Sequence, residues 1–303
     1  MTLTELKYIV TVAQERHFGR AAERCFVSQP TLSVAIKKLE SELGVTIFER
    51  SKSAISVTPL GERIITQAKR VLEESRAIKE IASEGKDQLS SPLKLGAIFT
   101  IGPYLFPHLV PQLHTQAPTM PLYLEENYTG VLRRQLRDGE LDAIIVALPF
   151  NEPEVVTRPL YDESFMVVLP LNHPWSAQSC IEPEQLMSED LLMLGEGHCF
   201  RDQVFAHCPA LNRKQHSRLG SVLEGSSLET LKHMVATGLG VTVLPESAIG
   251  NMDETLLTIR PFKAPAPFRT VALAWRASFP RGQAIDMVLD TARQSLLKGR
   301  TLK

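Results

Sequence analysis

The stretch HFGRAAERCFVSQPTLSVAIKKLESELGVTIFER, residues 17–50, decides the fold of the first part of this chain of 303 residues. Its segment GRAAERC predicts a short helix with small residues facing inward, and the break FVSQP ends that helix. Ser28 is suited to cap the next helix and Pro30 to occupy its first turn. Upstream of the stretch, Thr2 and Glu5 fit a capping box before another apolar-periodic segment. We therefore expect three consecutive helices.

The third predicted helix has an apolar stripe and a polar face. Its apolar residues recur at intervals of four, three and four, so we expect one buried stripe that ends before Gly44. After it, VTIFERSKSAISVTP alternates and turns like a small hairpin, or wing. Such helices suit the major groove of DNA, although a three-helix bundle with a solvated polar face fits the spacing equally well. The stripe consists of Leu32, Ile36, Leu39 and Leu43.

The whole stretch resembles the winged helix-turn-helix of the LysR-type transcriptional regulators. This resemblance implies a bacterial DNA-binding regulator whose partners are double-stranded promoter DNA and RNA polymerase. Val34 departs from the pattern of some relatives, which have a basic residue there. The resemblance places the DNA contacts of the recognition helix on Gln29, Pro30, Thr31, Ser33 and Lys37, and those of the wing on Arg50 and Lys52.

Composition indicates a globular protein with a modestly basic first part. The chain is 44% hydrophobic and 22% charged, and its net charge is −1. Residues 1–70 carry 11 Lys and Arg against 7 Glu, whereas the remainder carries 22 against 27 acidic residues. No apolar run of about 18 residues and no signal-peptide pattern occur, which predicts a cytoplasmic, nucleoid-associated protein without a membrane partner. Its four cysteines are then not a disulfide framework.

A long helix is predicted to follow the wing. Thr58 and Pro59 open it, and it runs to about Gly85, roughly 40 Å at ~1.5 Å per residue. We expect a second copy of the chain to cover its apolar stripe and form a homodimer, with docking on its own body as the alternative. The segment GKDQLSSP, Gly85–Pro92, links it to the next domain. The stripe consists of Leu60, Ile64, Ala68, Val71, Leu72, Ile78 and Ala82.

From Leu93 onward, predicted strands and helices alternate, which indicates an α/β domain with parallel strands. Two linked lobes with a crossing-back segment resemble the periplasmic-binding-protein-like regulatory domain of the LysR family. Ligands of such sheets lie between the lobes, where Thr100 and Thr129 are candidates, although either alone is more typical of a helix cap. The predicted domains are the winged helix-turn-helix 1–58, the linker helix and hinge 59–91, and the regulatory domain 92–303, with lobe I at 92–163 and 269–303 and lobe II at 164–268.

The segment LGEGHCFRDQVFAHC, residues 194–208, contains two His-Cys pairs. No CxxC or HxxxH spacing is present, so we expect neither a metal nor a cofactor. Cys199 follows the GEG loop and opens a predicted helix, where backbone N–H groups favour a thiolate. With positive charge from His198 and Arg201, opposed by Asp202, we expect its pKa to lie below the ordinary thiol value. Burial in a core is the interpretation for Cys25 and Cys180.

The spacing of the two cysteines has a consequence for any disulfide between them. If residues 199–208 form one helix, the sulfurs lie on opposite faces and about 13 Å apart along the axis. A disulfide needs Cα atoms within about 7 Å, so pairing requires this segment to refold. In one hypothesis, a thiolate at Cys199 attacks a peroxide to give sulfenic acid, and Cys208 condenses with it.

GHCFRDQVFAHC, TIGPYLFPHLVPQLH and SSLETLKHMVATGLGVTVLP are similar to segments of the peroxide-sensing activators of the LysR family, and the likeness covers essentially the whole chain. It implies a homotetrameric activator of the oxidative-stress response that senses hydrogen peroxide through a Cys199–Cys208 disulfide. A glutaredoxin or thioredoxin-type reductant resets it. The resemblance assigns the peroxidatic role to Cys199, the resolving role to Cys208, and the peroxide pocket to Thr100, Thr129, His198, Arg201, Asp202 and Arg269.

Three other functions compete with this interpretation. The main alternative is a LysR-type regulator that binds a small metabolite between its lobes and whose cysteines are incidental. A thiol peroxidase is disfavoured because an enzyme has no use for a DNA-reading domain, so we expect no enzymatic activity. A periplasmic transport receptor is disfavoured because the signal-peptide pattern is missing.

Overall fold

The computed structural model describes residues 1–50, 55–83, 88–208, 224–250 and 255–295. The chain divides into two compact units, Met1–Gly85 and Lys86–Lys303. The predicted architecture of a winged helix-turn-helix, a long helix and an α/β domain is confirmed. Among the described helices, none is both long enough and apolar enough to cross a membrane.

The first unit contains four helices and a two-stranded wing. Its helices are α1 (Leu3–Glu15), α2 (Phe18–Arg24), α3 (Gln29–Leu43) and α4 (Pro59–Ser83), and the antiparallel strands of the wing are β1 (Phe48–Arg50) and β2 (Ile55–Val57).

Local capping residues fix the ends of α1 and α3. The Glu5 N–H donates to the Thr2 hydroxyl at 3.2 Å, and the Ser28 hydroxyl accepts from Thr31 N–H at 3.3 Å, as the sequence predicts. Gly44 adopts the left-handed conformation (φ +67°) that ends α3. The expectation that Leu43 is buried is wrong: it is 38% exposed, because α3 ends there and the chain turns away from the core.

The wing is tied to the helices by two contacts. The carboxylate of Glu40, near the end of α3, accepts hydrogen bonds from Ile47 N–H (2.7 Å) and Phe48 N–H (3.1 Å). At Gly61, in the first turn of α4, a Cβ atom would lie only 2.4 Å from the Ile47 carbonyl oxygen. Only glycine allows this close approach, so α4 begins directly against the wing.

The apolar residues of α4 do not form the single exposed stripe that the sequence predicts. Ile65 and Ala68 are buried in the core of the first unit, where α4 packs against α1. Leu60, Val71 and Ile78 remain exposed. The alternative of docking on its own body therefore holds for the first turns of the helix, because its α1-facing side completes the helix-turn-helix core.

The second unit is built around one sheet of nine strands. The strand order is β4-β3-β5-β11-β6-β9-β7-β8, and β10 pairs with β6. The strands are β3 (Leu93–Ile98), β4 (Leu122–Asn127), β5 (Ala143–Ala147), β6 (Val155–Pro170), β7 (Leu191–Leu194), β8 (Glu224–Gly225), β9 (Val241–Pro245), β10 (Leu257–Pro261) and β11 (Phe268–Arg276). The described α-helices are α5 (Gly102–Gln116), α6 (Thr129–Arg137), α7 (Cys199–His207), α8 (Leu228–Ala236) and α9 (Gly282–Ser295).

The sequence predicts an α/β domain with parallel strands, and the sheet contains antiparallel pairs as well. Strands β3, β4 and β5 are parallel, as are β7, β8 and β9. The two long strands β6 and β11 run antiparallel to each other and to their other neighbours. They do so because they carry the chain from one lobe to the other and back.

Each lobe has its own hydrophobic core. The first-lobe core is formed by buried residues within 93–161 and 271–292. The second-lobe core is formed by buried residues within 165–262. The buried apolar residues of α7 and Cys208 belong to the second-lobe core, whereas Cys199, at the start of α7, packs against the first-lobe core.

Candidate redox site

The segment from Cys199 to Cys208 forms one continuous helix with its last residue as the C-terminal cap. Helix α7 spans nine residues, Cys199–His207, and Cys208 follows as the cap. Gly197, with φ +92°, turns the chain into the helix, and a Cβ atom there would lie 3.3 Å from the ring of Tyr128. The predicted helical spacing of the two cysteines is thus present, and both are free thiols.

An aromatic cluster encloses the start of α7. The His198 ring packs edge-on against Tyr128, with centroids 4.8 Å apart, and lies 6.1 Å from Phe99. His198 is 6% exposed, and burial lowers the pKa of its imidazole below the ordinary value. The ring is therefore neutral near pH 7, so the expectation that it supplies positive charge to Cys199 is wrong.

The cation that acts on the Cys199 thiol, Arg269, belongs to β11. Arg269 is 2% exposed and donates from Nη1 to the Thr100 hydroxyl at 2.9 Å and from Nη2 to the Thr100 carbonyl at 2.8 Å. Its Nε donates to the Glu163 carboxylate at 2.7 Å. Thr100 thus holds Arg269, and Arg269 attracts the thiolate of Cys199. These contacts join the carboxyl end of β3 to both crossing strands.

The Thr129 hydroxyl, in the first turn of α6, favours the thiolate of Cys199. Its oxygen is buried and makes no hydrogen bond of ordinary geometry within the described residues. Thr129 is not a helix cap, since Tyr128 occupies that position. The Thr129 hydroxyl thus lies beside the Cys199 sulfur and interacts with it.

The expectation of a lowered thiol pKa is wrong for Cys199. Burial raises its pKa by more than the Thr129 hydroxyl and Arg269 lower it, and the Asp202 carboxylate raises it further. The residue keeps some exposed surface, but its sulfur packs against the first-lobe core. The favourable helix N-terminus is outweighed because a thiolate in this apolar setting loses its hydration.

The structure does not bring Arg201 to the Cys199 sulfur. Two residues along a helix correspond to a rotation of about 200°, so the side chains point to opposite sides. Arg201 Nη1 donates to the Leu194 carbonyl at 3.1 Å and pairs with the Glu224 carboxylate. Asp202 is exposed in the first turn and acts on the thiol only through its charge.

Cys208 lies in a different environment at the other end of α7. It is 4% exposed and belongs to the second-lobe core. Burial and the charge of Glu184 raise its pKa to about 11. The two thiols are thus separated by the length of a helix and packed into different lobes.

Two contacts between the lobes were not predicted from the sequence. Gln203, one turn after Cys199 and on the same face of α7, donates to the Leu148 carbonyl at 3.3 Å, and its own amide oxygen is buried. Tyr104 of α5 donates to the Glu229 carboxylate of α8 at 2.8 Å. The spacing of Gln203 from Cys199 was a signal in the sequence, whereas nothing in the sequence connected Tyr104 with Glu229.

Five of the seven candidate DNA-binding residues lie on helix α3. Ser33 is half-buried. Thr31 shares a hydrogen bond of 2.8 Å with the Ser28 hydroxyl, so its side chain is oriented by the cap. The side chain of Arg50 and all of Lys52 lie outside the described residues. The exposed candidates are Gln29, Pro30, Thr31 and Lys37.

Comparisons with known proteins agree with this architecture. The family model for bacterial regulatory helix-turn-helix proteins of the lysR family matches residues 3–62, and the model for the LysR substrate binding domain matches residues 86–297. The chain is 38% identical over 294 residues to the DNA-binding transcriptional dual regulator OxyR of Escherichia coli strain K12, which covers 97% of this chain and 95% of that one.

Two solved structures extend the similarity to three dimensions. A full-length OxyR from Pseudomonas aeruginosa, solved as a cysteine-to-aspartate variant, has 60% sequence identity and a TM-score of 0.82, covering 99% of this chain and 98% of that chain. An H2O2-bound cysteine-to-serine variant of Corynebacterium glutamicum OxyR has 33% identity and a TM-score of 0.66, covering 98% and 93%. Cys199 and Cys208 stand at OxyR-like positions. The chain therefore belongs to the LysR family of bacterial helix-turn-helix regulators, as an OxyR-like member.

Proposed function

We propose that this chain is a transcriptional activator of the oxidative-stress response, which hydrogen peroxide switches by joining Cys199 to Cys208. One observation carries the proposal: the two thiols stand at opposite ends of the continuous helix α7 and pack into different cores. A disulfide between them is incompatible with that helix, so oxidation must replace one local structure by another. The similarity to OxyR supports the same chemistry.

The proposed reaction has two steps, and each step conserves atoms and electrons. In the first, the Cys199 thiol loses its proton and its sulfur attacks one oxygen of H2O2. The O–O bond breaks, the sulfur becomes a sulfenic acid, and the other oxygen leaves as hydroxide and takes up the proton as water. In the second, the Cys208 sulfur attacks the sulfenic sulfur, whose oxygen leaves as a second water. Two thiols and one H2O2 thus give one disulfide and two waters.

The residues around Cys199 have distinct proposed roles in the first step. Arg269, held by Thr100, supplies the positive charge that stabilises the thiolate and the developing hydroxide. The buried Thr129 hydroxyl, which interacts with the Cys199 sulfur, donates to a peroxide oxygen in the proposed pocket. Neutral His198 forms a wall of the pocket with its aromatic neighbours. Its ring N–H donates a hydrogen bond to peroxide, and because the ring carries no charge it does not repel Arg269. Asp202 lies at the rim and opposes premature ionisation of the thiol.

The proposed DNA contacts follow from the exposed face of α3. Gln29 and Thr31 read base edges, and Lys37 contacts phosphate, because amide and hydroxyl groups match base edges whereas lysine acts as a point charge. The wing residues Arg50 and Lys52 add phosphate contacts, and Pro30 and Ser33 shape the contact surface. This activity would place the protein at promoter DNA in the cytoplasm, together with RNA polymerase.

The proposed assembly and domain division complete the regulator. The exposed residues Leu60, Val71 and Ile78 of α4 support a homodimer through the linker helix, and pairs of dimers give the tetramer. We divide the chain into domains at 1–58, 59–91 and 92–303, with lobe I at 92–163 and 269–303 and lobe II at 164–268. A glutaredoxin or thioredoxin-type dithiol would reduce the disulfide and let α7 re-form.

The proposal is tested by treating the reduced protein with one equivalent of H2O2 and mapping its peptides by mass spectrometry. We expect loss of two hydrogens and a peptide that links Cys199 to Cys208, together with a changed footprint on promoter DNA. A Cys208→Ser variant should trap sulfenic acid at Cys199 and keep the reduced footprint, and Cys180→Ser serves as the matched control. Unchanged thiols would contradict the proposal and favour the metabolite-binding alternative.

A further inference from the structure

Arg201 is a buried arginine that the two proposed reaction steps do not use. It is 6% exposed, and its Nη1 donates to the Leu194 carbonyl at 3.1 Å. The same group pairs with the carboxylate of Glu224, and the guanidinium carbon lies 5.6 Å from the ring centre of Phe205. Leu194 ends β7 and Glu224 begins β8, so Arg201 fastens α7 to two strands of the second lobe.

The position of Arg201 makes this attachment incompatible with the disulfide. Arg201 lies between the two cysteines, inside the loop that the disulfide would close. Bringing the Cα atoms of Cys199 and Cys208 within about 7 Å requires α7 to unwind. The backbone of Arg201 then moves, and its guanidinium group leaves the Leu194 carbonyl and Glu224. Breaking these bonds is therefore part of the barrier between the sulfenic acid and the disulfide.

We propose that Arg201 is a positioning residue that locks the reduced α7 onto β7 and β8 and thereby limits the rate at which Cys208 reaches the Cys199 sulfenic acid. This inference rests on the proposed peroxide reaction. It also changes the predicted role of Arg201, which then acts on the second step rather than as a ligand of peroxide in the first.

The expected change in the rate of disulfide formation follows from the strength of the contacts of Arg201 with Leu194 and Glu224. A hydrogen bond from a buried guanidinium group is charge-assisted and stronger than a neutral one, and Arg201 donates to the Leu194 carbonyl only while α7 is helical. The Glu224 carboxylate is 44% exposed, so its share is weakened by solvent. We expect loss of the whole lock to accelerate disulfide formation about tenfold, and loss of the carboxylate alone about threefold.

The test separates the two steps in matched variants. Sulfenic acid formation is measured by trapping with a cyclic diketone in a Cys208→Ser background after addition of H2O2. Disulfide formation is measured by quenched-flow mass spectrometry with both cysteines present. Arg201→Met should leave the first rate unchanged and raise the second about tenfold, and Glu224→Gln should do the same with about a threefold increase. Arg137→Met, at an exposed arginine of α6, is the control.

Glu224→Gln is the decisive variant because Glu224 contacts Arg201. If Arg201→Met slows sulfenic acid formation while Glu224→Gln changes neither rate, Arg201 acts on peroxide and the lock is overturned. Equal disulfide rates in wild type and both variants would also overturn it. Should Arg201→Met fail to fold, as thermal unfolding would reveal, Glu224→Gln alone decides. A wild type that forms no disulfide would instead contradict the proposed function.

Discussion

The helices α3 and α7 are held in place by different kinds of interaction. Helix α3 has 15 residues, a Ser28 cap at its start and a left-handed Gly44 at its end, and its own stripe fills the core. Helix α7 has nine residues, and its first cap, His198, makes no capping hydrogen bond through its side chain. Its attachments from Arg201 to Glu224 and from Gln203 to Leu148 reach residues 23 and 55 positions away along the chain.

This difference indicates which helix can act as a switch. A helix of about nine residues without good caps is marginal on its own, so α7 persists only while its tertiary contacts do. A segment that must refold on oxidation has to come from the less stable part of a protein. Helix α3, by contrast, must present the same surface to DNA in both states, and local interactions keep it intact.

The largest expected effect comes from breaking α3 at its core. Leu32 is fully buried, so Leu32→Ala should lower the free energy of unfolding of the first unit by about 2–5 kcal/mol. Val34→Ala, at a residue 66% exposed on the same helix, should change it by less than about 0.5 kcal/mol. Chemical denaturation followed by circular dichroism measures both. A similar loss in the two variants would show that the stripe does not anchor α3.

The second prediction concerns pH and the start of α7. Because burial raises the pKa of Cys199, its thiol is mostly neutral at pH 7, and its thiolate fraction increases about tenfold per pH unit. The rate of sulfenic acid formation in the Cys208→Ser background should therefore rise from about pH 6 to pH 9 without a plateau.

The same shift affects stability in a defined direction. A thiol with a raised pKa in the folded state contributes stability below its ordinary pKa and loses it as the pH rises through the folded value. For Cys208, whose pKa is about 11, that loss extends to about pH 11.

The pH–rate prediction for Cys199 has a clear contrary outcome. A plateau of the sulfenic acid rate below pH 7 would mean that the helix N-terminus outweighs burial at Cys199.

The smallest expected effect comes from a change in helix propensity alone, and it tests whether α7 must open before the disulfide forms. Ala206 is exposed in α7, and Ala206→Gly should destabilise that helix by about 1 kcal/mol without removing a contact. Disulfide formation after peroxide should become about fivefold faster, since the helix must open for it. Ser41→Gly, at an exposed position of α3, should leave this rate unchanged. Equal disulfide rates in wild type and Ala206→Gly would show that opening of α7 is not limiting.

Most of the first unit could be predicted because its determinants lie close together in sequence. Ser28 caps a residue three positions away, and the stripe from Leu32 to Leu39 repeats every turn. The failures also have a local cause. Leu43 continues the periodicity of the stripe, but as the last residue of α3 it lies beyond the core that covers the rest of the stripe. The stripe on α4 was divided because α1 covers only one side of it.

The candidate redox site was predicted in part. Placing Cys199 and Cys208 at opposite ends of one helix needed only their spacing, which the structure contains. The predicted protonation of His198 and the predicted pKa shift of Cys199 were wrong, because the pKa of each group depends on its burial. Neither the desolvation of His198 and Cys199 nor the attachment of Arg269 to Thr100 can be read from neighbouring residues.

The sequence by itself determined the helix-turn-helix, the α/β class and the separation of the two thiols, because capping, periodicity and helical rise act over a few residues. Only the tertiary structure decided which charges face the thiol. Arg269 comes from a strand 70 positions after Cys199, while Arg201, two residues away, turns to the other lobe. The physical reason is that electrostatic interactions and desolvation depend on distance in space, which the packing of two lobes around α7 sets.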